Sequence, residues 1–129
     1  MNKFFQFNEF LELGMIFMDC EAGLIALEYF EKAIALSYLP INKTRLAQAY
    51  EQRGGAKQFF GRNLESILDY SKAIELDPRN SFLYFERGSA YACLNLNEDA
   101  LKNLKMSLEL DPEFSLASSM IDYLENEKK

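Results

Sequence analysis

The chain has 129 residues, of which 49% are apolar and 14% aromatic, with a formal charge of −6. That composition supplies a packed core and excludes a disordered tail, and the acidic balance opposes the phosphate neutralisation on which nucleic-acid binding rests. No histidine is present to act as a base, and two cysteines make neither a disulfide framework nor a zinc set.

The opening stretch MNKFFQFNEFLELG is interrupted by Asn8, Glu9 and Glu12 before a signal-peptide core could form, and no apolar run reaches membrane-spanning length. The expectation is a cytoplasmic protein with reduced thiols and no membrane insertion. Three prolines and six glycines are too few for many short strands, and helical periodicity predicts elements over 4–18, 22–37 and 43–59. A fourth, over 64–76, has Asn63 as its cap and a broad face including Leu64, Ile67, Leu68, Tyr70, Ala73 and Ile74. A fifth runs over 81–94 behind Ser81, with Tyr84, Arg87, Gly88 and Tyr91 at three- and four-residue steps. A sixth, over 98–110, begins at Asn97 and carries Glu98 and Asp99 where the helix dipole favours acids. Pro78 and Pro112 fall where helices must stop. A seventh, over 114–126, places Leu116, Met120, Ile121 and Leu124 on one side and ends in charge, as a capping helix should.

The segments KAIELDP (Lys72–Pro78) and MSLELDP (Met106–Pro112) lie thirty-four residues apart, and KAIALSY (Lys32–Tyr38) lies forty upstream of the first. The same two steps join Gly14, Gly54 and Gly88. They also join Phe10, Tyr50 and Tyr84; Ala26, Ser66 and Ala100; Phe30, Tyr70 and Leu104; and Ala33, Ala73 and Ser107. Agreement across whole units of this length signals a solenoid of helix pairs. The small residues let helices approach closely and the aromatics fill the space around them. Gly54 and Gly55 therefore read as a packing glycine and its neighbour rather than a flexible site.

These units resemble the tetratricopeptide repeat. Tyr84, Gly88, Tyr91, Ala100, Leu104 and Pro112 fit its pattern in the third unit. Tyr50, Gly54, Ser66, Tyr70, Ala73 and Pro78 do so in the second, and Phe10, Leu13, Gly14, Phe17, Ala26, Phe30 and Ala33 in the first. The resemblance implies an all-α, right-handed solenoid of three helix-turn-helix units (about 7–40, 47–80 and 81–114) plus the capping helix, in one domain over 1–129. Arg53 and Arg87 stand where the family has leucine, and Lys57 where it has an aromatic; their alkyl stems are expected to cover apolar surface while the charge reaches water. The first junction is six residues longer than the standard and holds Pro40 and Asn42, which predicts a longer loop or elongated flanking helices.

Members of the family serve as peptide-binding scaffolds, so the resemblance implies a non-catalytic adaptor without cofactors or metals. Its concave groove would be lined by the first helix of each unit. On this chain the groove positions include Leu11, Glu12, Met15 and Met18; Gln48, Glu51, Gln52 and Phe59; and Phe82, Phe85, Glu86 and Ser89. Chaperone-binding members hold a C-terminal carboxylate with Lys, Arg and Asn, but the corresponding positions here are Leu11, Met15, Gln52, Phe82 and Glu86. The expected partner is therefore a protein segment with apolar anchors and some Lys or Arg, oriented by Glu12, Glu51 and Glu86, and an acidic tail is expected to be repelled. Two other readings remain open. One is a chaperone for an exported substrate. The other is a self-associating module whose acidic ends meet the more basic middle of another copy. The chain itself is expected to be a monomer or a weak homo-oligomer.

Overall fold

The computed structural model describes residues 2–127. Seven α-helices follow in order: α1 (Lys3–Asp19), α2 (Gly23–Ile34), α3 (Lys43–Phe59), α4 (Asn63–Leu76), α5 (Ser81–Cys93), α6 (Asn97–Leu110) and α7 (Ser115–Glu127). No strand occurs among the described residues. Consecutive helices pack on one another throughout, and α1 also meets α3 as α3 meets α5. The second helices α2, α4 and α6 make no comparable contact with each other. The layer of first helices is thus the tighter one, and the stack curves around it.

The helix starts obey two rules. Each first helix begins after a loop and is capped by an asparagine: Asn2 accepts from Phe4 N, Asn42 from Thr44 N and Arg45 N, and Asn80 from Phe82 N. The second helices have no side-chain cap. They start directly out of the preceding helix through one repeated turn. Glu21 (φ 59°), Gly61 (φ 75°) and Asn95 (φ 59°) occupy the left-handed region at equivalent positions. The next amide reaches back to Phe17 O, Lys57 O and Tyr91 O at 2.8, 2.9 and 3.0 Å, closing each first helix with a Schellman motif. Asn63 and Ser81 are therefore first helical residues, not the caps expected from sequence; Arg62 and Asn80 precede them.

Packing follows the repeat register. A Cβ added to Gly14 would lie 2.4 Å from the Phe30 ring, one added to Gly54 3.0 Å from Tyr70, and one added to Gly88 3.1 Å from Leu104. Phe7, Leu11, Phe30, Tyr70, Leu83 and Leu104 form the largest fully buried apolar side chains. On α7 the buried stripe is Ala117, Ile121 and Leu124, while Leu116 is exposed, contrary to the sequence expectation.

Arg53 and Lys57 also depart from expectation. Their charges do not simply point into solvent but converge on buried Asp69, with Arg53 bonding it at 2.9 and 2.7 Å and Lys57 at 3.2 Å. One repeat later, Arg87 donates to Asn103 Oδ1 at 2.7 Å and to Ser71 Oγ at 3.2 Å. The long junction combines both forms anticipated for it. α2 ends at Ile34, three residues early, and the chain tightens through i→i+3 bonds such as Ser37 N to Ile34 O. α3 then starts one turn ahead of the repeat register, giving it 17 residues against 13 in α5.

Candidate functional site

The inner layer of α1, α3 and α5 presents the candidate groove. Its first end is organised by Arg45, which stands on the extra turn of α3. Arg45 donates to Asn8 Oδ1 at 3.1 and 3.3 Å, to Glu12 Oε1 at 3.2 Å and to Gln48 Oε1 at 2.7 Å, tying α1 to α3. Sequence reading missed Arg45 because it lies outside the repeated positions. Glu12 is consequently paired rather than a free negative charge, and Gln48 also lies beside Met15 Sδ at 3.8 Å. Beside Gln48 and Glu51 a cleft of about 210 Å³ opens, with Thr44, Ala47, Asp77 and Asn80 as its other walls.

The middle of the groove is a polar chain. The Tyr70 hydroxyl donates to Gln58 Oε1 at 2.8 Å, and Gln58 Nε2 donates to Ser89 Oγ at 3.4 Å, joining α4, α3 and α5. Next to it, Glu51 of α3 meets Glu86 of α5. Burial pushes the Glu86 carboxyl up to about 9, with the Glu51 charge and their mutual hydrogen bond adding to it. Burial also raises Glu51, helped by the charge of Asp77. Glu86 Oε1 is shut from solvent without a partner, and holding Glu86 protonated is what makes the approach of the two carboxyls tolerable. At neutral pH Glu86 is held protonated, so the pair does not carry two full charges. Burial also raises the Tyr70 hydroxyl, which stays protonated and able to donate.

The far end is aromatic. Phe82, Phe85 and Phe114 form a ring cluster with centroids 5.0–6.0 Å apart. Phe85 packs into the core beneath α7, whereas Phe82 is 43% exposed and is the large apolar side chain this end offers.

The expected groove residues do not all assemble. Leu11 is fully buried against Phe7 and Phe30 in the first core cluster and has no surface for a partner. Phe59, three turns beyond Gln48 on α3, stands instead in a cleft with Phe60, Leu24 and Ile25 at the turn between α1 and α2. Met15 and Met18 are partly buried against the first core cluster. Glu12, Gln48, Glu51, Gln52, Phe82, Glu86 and Ser89 keep surface on their helices. Among the described residues no helix is long and apolar enough to cross a membrane, and Cys20 and Cys93 are free and exposed.

Two family models, each described as a tetratricopeptide repeat, match residues 47–80 and 69–102. Residues 47–102 carry tetratricopeptide repeats. Of curated proteins, the STIP1 homolog of Dictyostelium discoideum is 37% identical over 70 residues, covering 54% of this chain. Sperm-associated antigen 1 of Mus musculus is 27% identical over 100 residues, or 78% of this chain. The chain spans only 12% and 11% of the length of these two relatives. The solved tetratricopeptide domain of Arabidopsis OM64 is similar at a TM-score of 0.88 and 21% identity, covering 98% of this chain and 99% of that one. The first such domain of Spaghetti (RPAP3), bound to the HSP90 peptide SRMEEVD, is similar at 0.84 and 20%, covering 94% and 91%. At these identities the likeness establishes the solenoid fold and leaves ligand choice to the groove's own residues.

Proposed function

We propose that this tetratricopeptide-repeat chain is a non-catalytic adaptor that binds a segment of a partner protein along α1, α3 and α5, and that the segment carries a large apolar residue and a Lys or Arg. The observation that carries this reading is the Glu51–Glu86 pair in the groove, flanked by exposed Phe82. A cationic side chain seated between the two carboxyls would replace the proton on Glu86 and leave both ionised, so binding would release a proton. Phe82 supplies the apolar contact, and Gln48, Gln52 and Ser89 supply hydrogen bonds to peptide backbone.

The acidic peptide bound by Spaghetti is a poor match for this groove. Arg45, the basic residue at the first end of the groove, is already engaged by Asn8, Glu12 and Gln48. The reading is tested by selecting peptides from a random displayed library and measuring the best by calorimetry in two buffers of different protonation enthalpy. Enriched sequences should pair aromatic or aliphatic residues with Lys or Arg, show proton release, and lose about tenfold or more in affinity to Phe82→Ala. Enrichment of Glu- or Asp-rich C-terminal peptides, or micromolar binding of SRMEEVD, would defeat it.

A further inference from the structure

The edge of the solenoid at the turns between first and second helices is apolar where a solvated edge should be polar. Leu24, Phe59, Leu64 and Leu68 are each about 70% exposed, with Ile25 at 46% and Phe60 at 39%. They adjoin. Leu24, Ile25, Phe59 and Phe60 line one cleft of about 400 Å³. Leu64 stands in the next cleft, of about 320 Å³, on the far side of Gly61, and Leu68 lies one turn along α4 from it. The fold does not demand these residues. At the repeat-equivalent positions of the third unit, Glu98 stands for Leu24 and Leu64, Lys102 for Leu68 and Cys93 for Phe59. The third unit makes the same turn with polar residues at these positions, keeping only Leu94 at the place of Phe60, so the turn itself does not require the apolar side chains of the first two.

We propose that this edge is a homodimer interface, on which a second copy docks about a two-fold axis passing near Phe59 and Phe60. Three features select a second copy. The patch is self-complementary: an aromatic pair lies between two aliphatic groups, Leu24 with Ile25 and Leu64 with Leu68, and a two-fold axis through the aromatics lays one group on the other. Its charges are complementary under the same operation. Glu21 flanks the first cleft and Arg62 the second, so each copy's Glu21 meets Arg62 of the other; Arg62 can hold it while keeping its own Glu65 at 2.6 Å. The size is also right. The exposed portions amount to between three and four whole large apolar side chains, on the order of 600 Å². That is at the upper limit for a patch on a monomer and, with the Leu94 and Leu96 rim, approaches the roughly 800 Å² per partner of a specific interface. The acidic flank of Asp19, Glu21 and Glu28 disfavours an anionic lipid surface as the occupant. A dimer formed here leaves the concave face of both copies free, giving a bivalent peptide binder.

Sedimentation equilibrium and light scattering from about 1 µM to about 1 mM test this. The wild-type chain should reach twice the 14.9 kDa of one copy. Phe59→Asp and Leu64→Asp alter exposed side chains and should leave the helical circular-dichroism signal intact while weakening association by about tenfold or more. Glu21→Arg and Arg62→Glu should each weaken it several-fold, and the double variant should recover it. A chain that stays monomeric to the highest concentration, including one that binds lipid vesicles instead, overturns the proposal. So does a dimer indifferent to both aspartates. A double charge swap that fails to recover association overturns the two-fold pairing.

Discussion

Arg53 and Asp69 face each other across the second helical pair through two parallel hydrogen bonds of 2.9 and 2.7 Å, and Lys57 approaches the same carboxylate at 3.2 Å. Asp69 is 4% exposed, so one buried carboxylate answers two cations at a place where the family packs a leucine and an aromatic. The first unit keeps the apolar solution at the same positions, with Phe17 stacked on Tyr29 at 5.4 Å. Asp69→Asn removes the shared counter-charge and leaves two largely covered cations side by side. The expected cost is about 2–4 kcal/mol, because breaking a buried pair strands its partners. Urea denaturation of the single variant measures it, and a loss below about 0.5 kcal/mol would show that Arg53 and Lys57 find water instead.

The Glu51–Glu86 pair makes stability depend on pH in a direction opposite to that of an ordinary paired carboxylate. Glu86 titrates at about 9 in the folded chain, chiefly through burial, against about 4.3 when unfolded. Between those values the folded state holds more protons than the unfolded state, so stability falls as pH rises through the window. Below it both states are protonated and the effect vanishes. Glu86→Gln keeps the neutral shape without the titration. Its melting temperature should match wild type near pH 4 and exceed it increasingly towards pH 9, as followed by circular dichroism. Parallel profiles for the two proteins would show that Glu86 is not the group responsible.

Much of this architecture was legible because it is written position by position. A glycine forty and then thirty-four residues from another glycine, each facing an aromatic or leucine at the same spacing, specifies helix pairs without reference to any third element. What failed lay outside that register. Arg53 looks like an amphipathic side chain until Asp69, sixteen residues on, turns out to face it. Asn80 and Ser81 are both good caps, and sequence alone does not choose between neighbours. Glu21 carries no signal for the left-handed turn that Gly61 and Asn95 announce at equivalent positions. In the groove, Leu11 and Glu12 differ by one residue and hence by about 100° around α1, which separates core from surface. Glu51 and Glu86 were legible as groove residues, but the proton held by Glu86 depends on how closely α3 approaches α5, which no periodicity encodes.

The glycine register itself makes a graded prediction. All three glycines accept a second helix of their own unit, but what a methyl group would strike differs. At Gly14 it would come within 2.4 and 2.5 Å of the Phe30 ring, which is fully buried and has nowhere to turn. At Gly54 it would meet Tyr70 at 3.0 Å and Asp69 Cβ at 3.2 Å, so the tyrosine anchored to Gln58 must give by a few tenths of an ångström. At Gly88 the contacts are Leu104 at 3.1 Å and the Ala100 carbonyl at 3.2 Å. Alanine raises intrinsic helix propensity by about 1 kcal/mol at any of these sites, while forcing a packed pair apart costs about 1–3 kcal/mol. Gly14→Ala should therefore be clearly destabilising, and Gly54→Ala and Gly88→Ala should fall much closer to neutral. Chemical denaturation of the three single variants gives the order directly. A Gly14→Ala chain as stable as wild type would mean that α1 and α2 are not held together by the contact between Gly14 and the Phe30 ring.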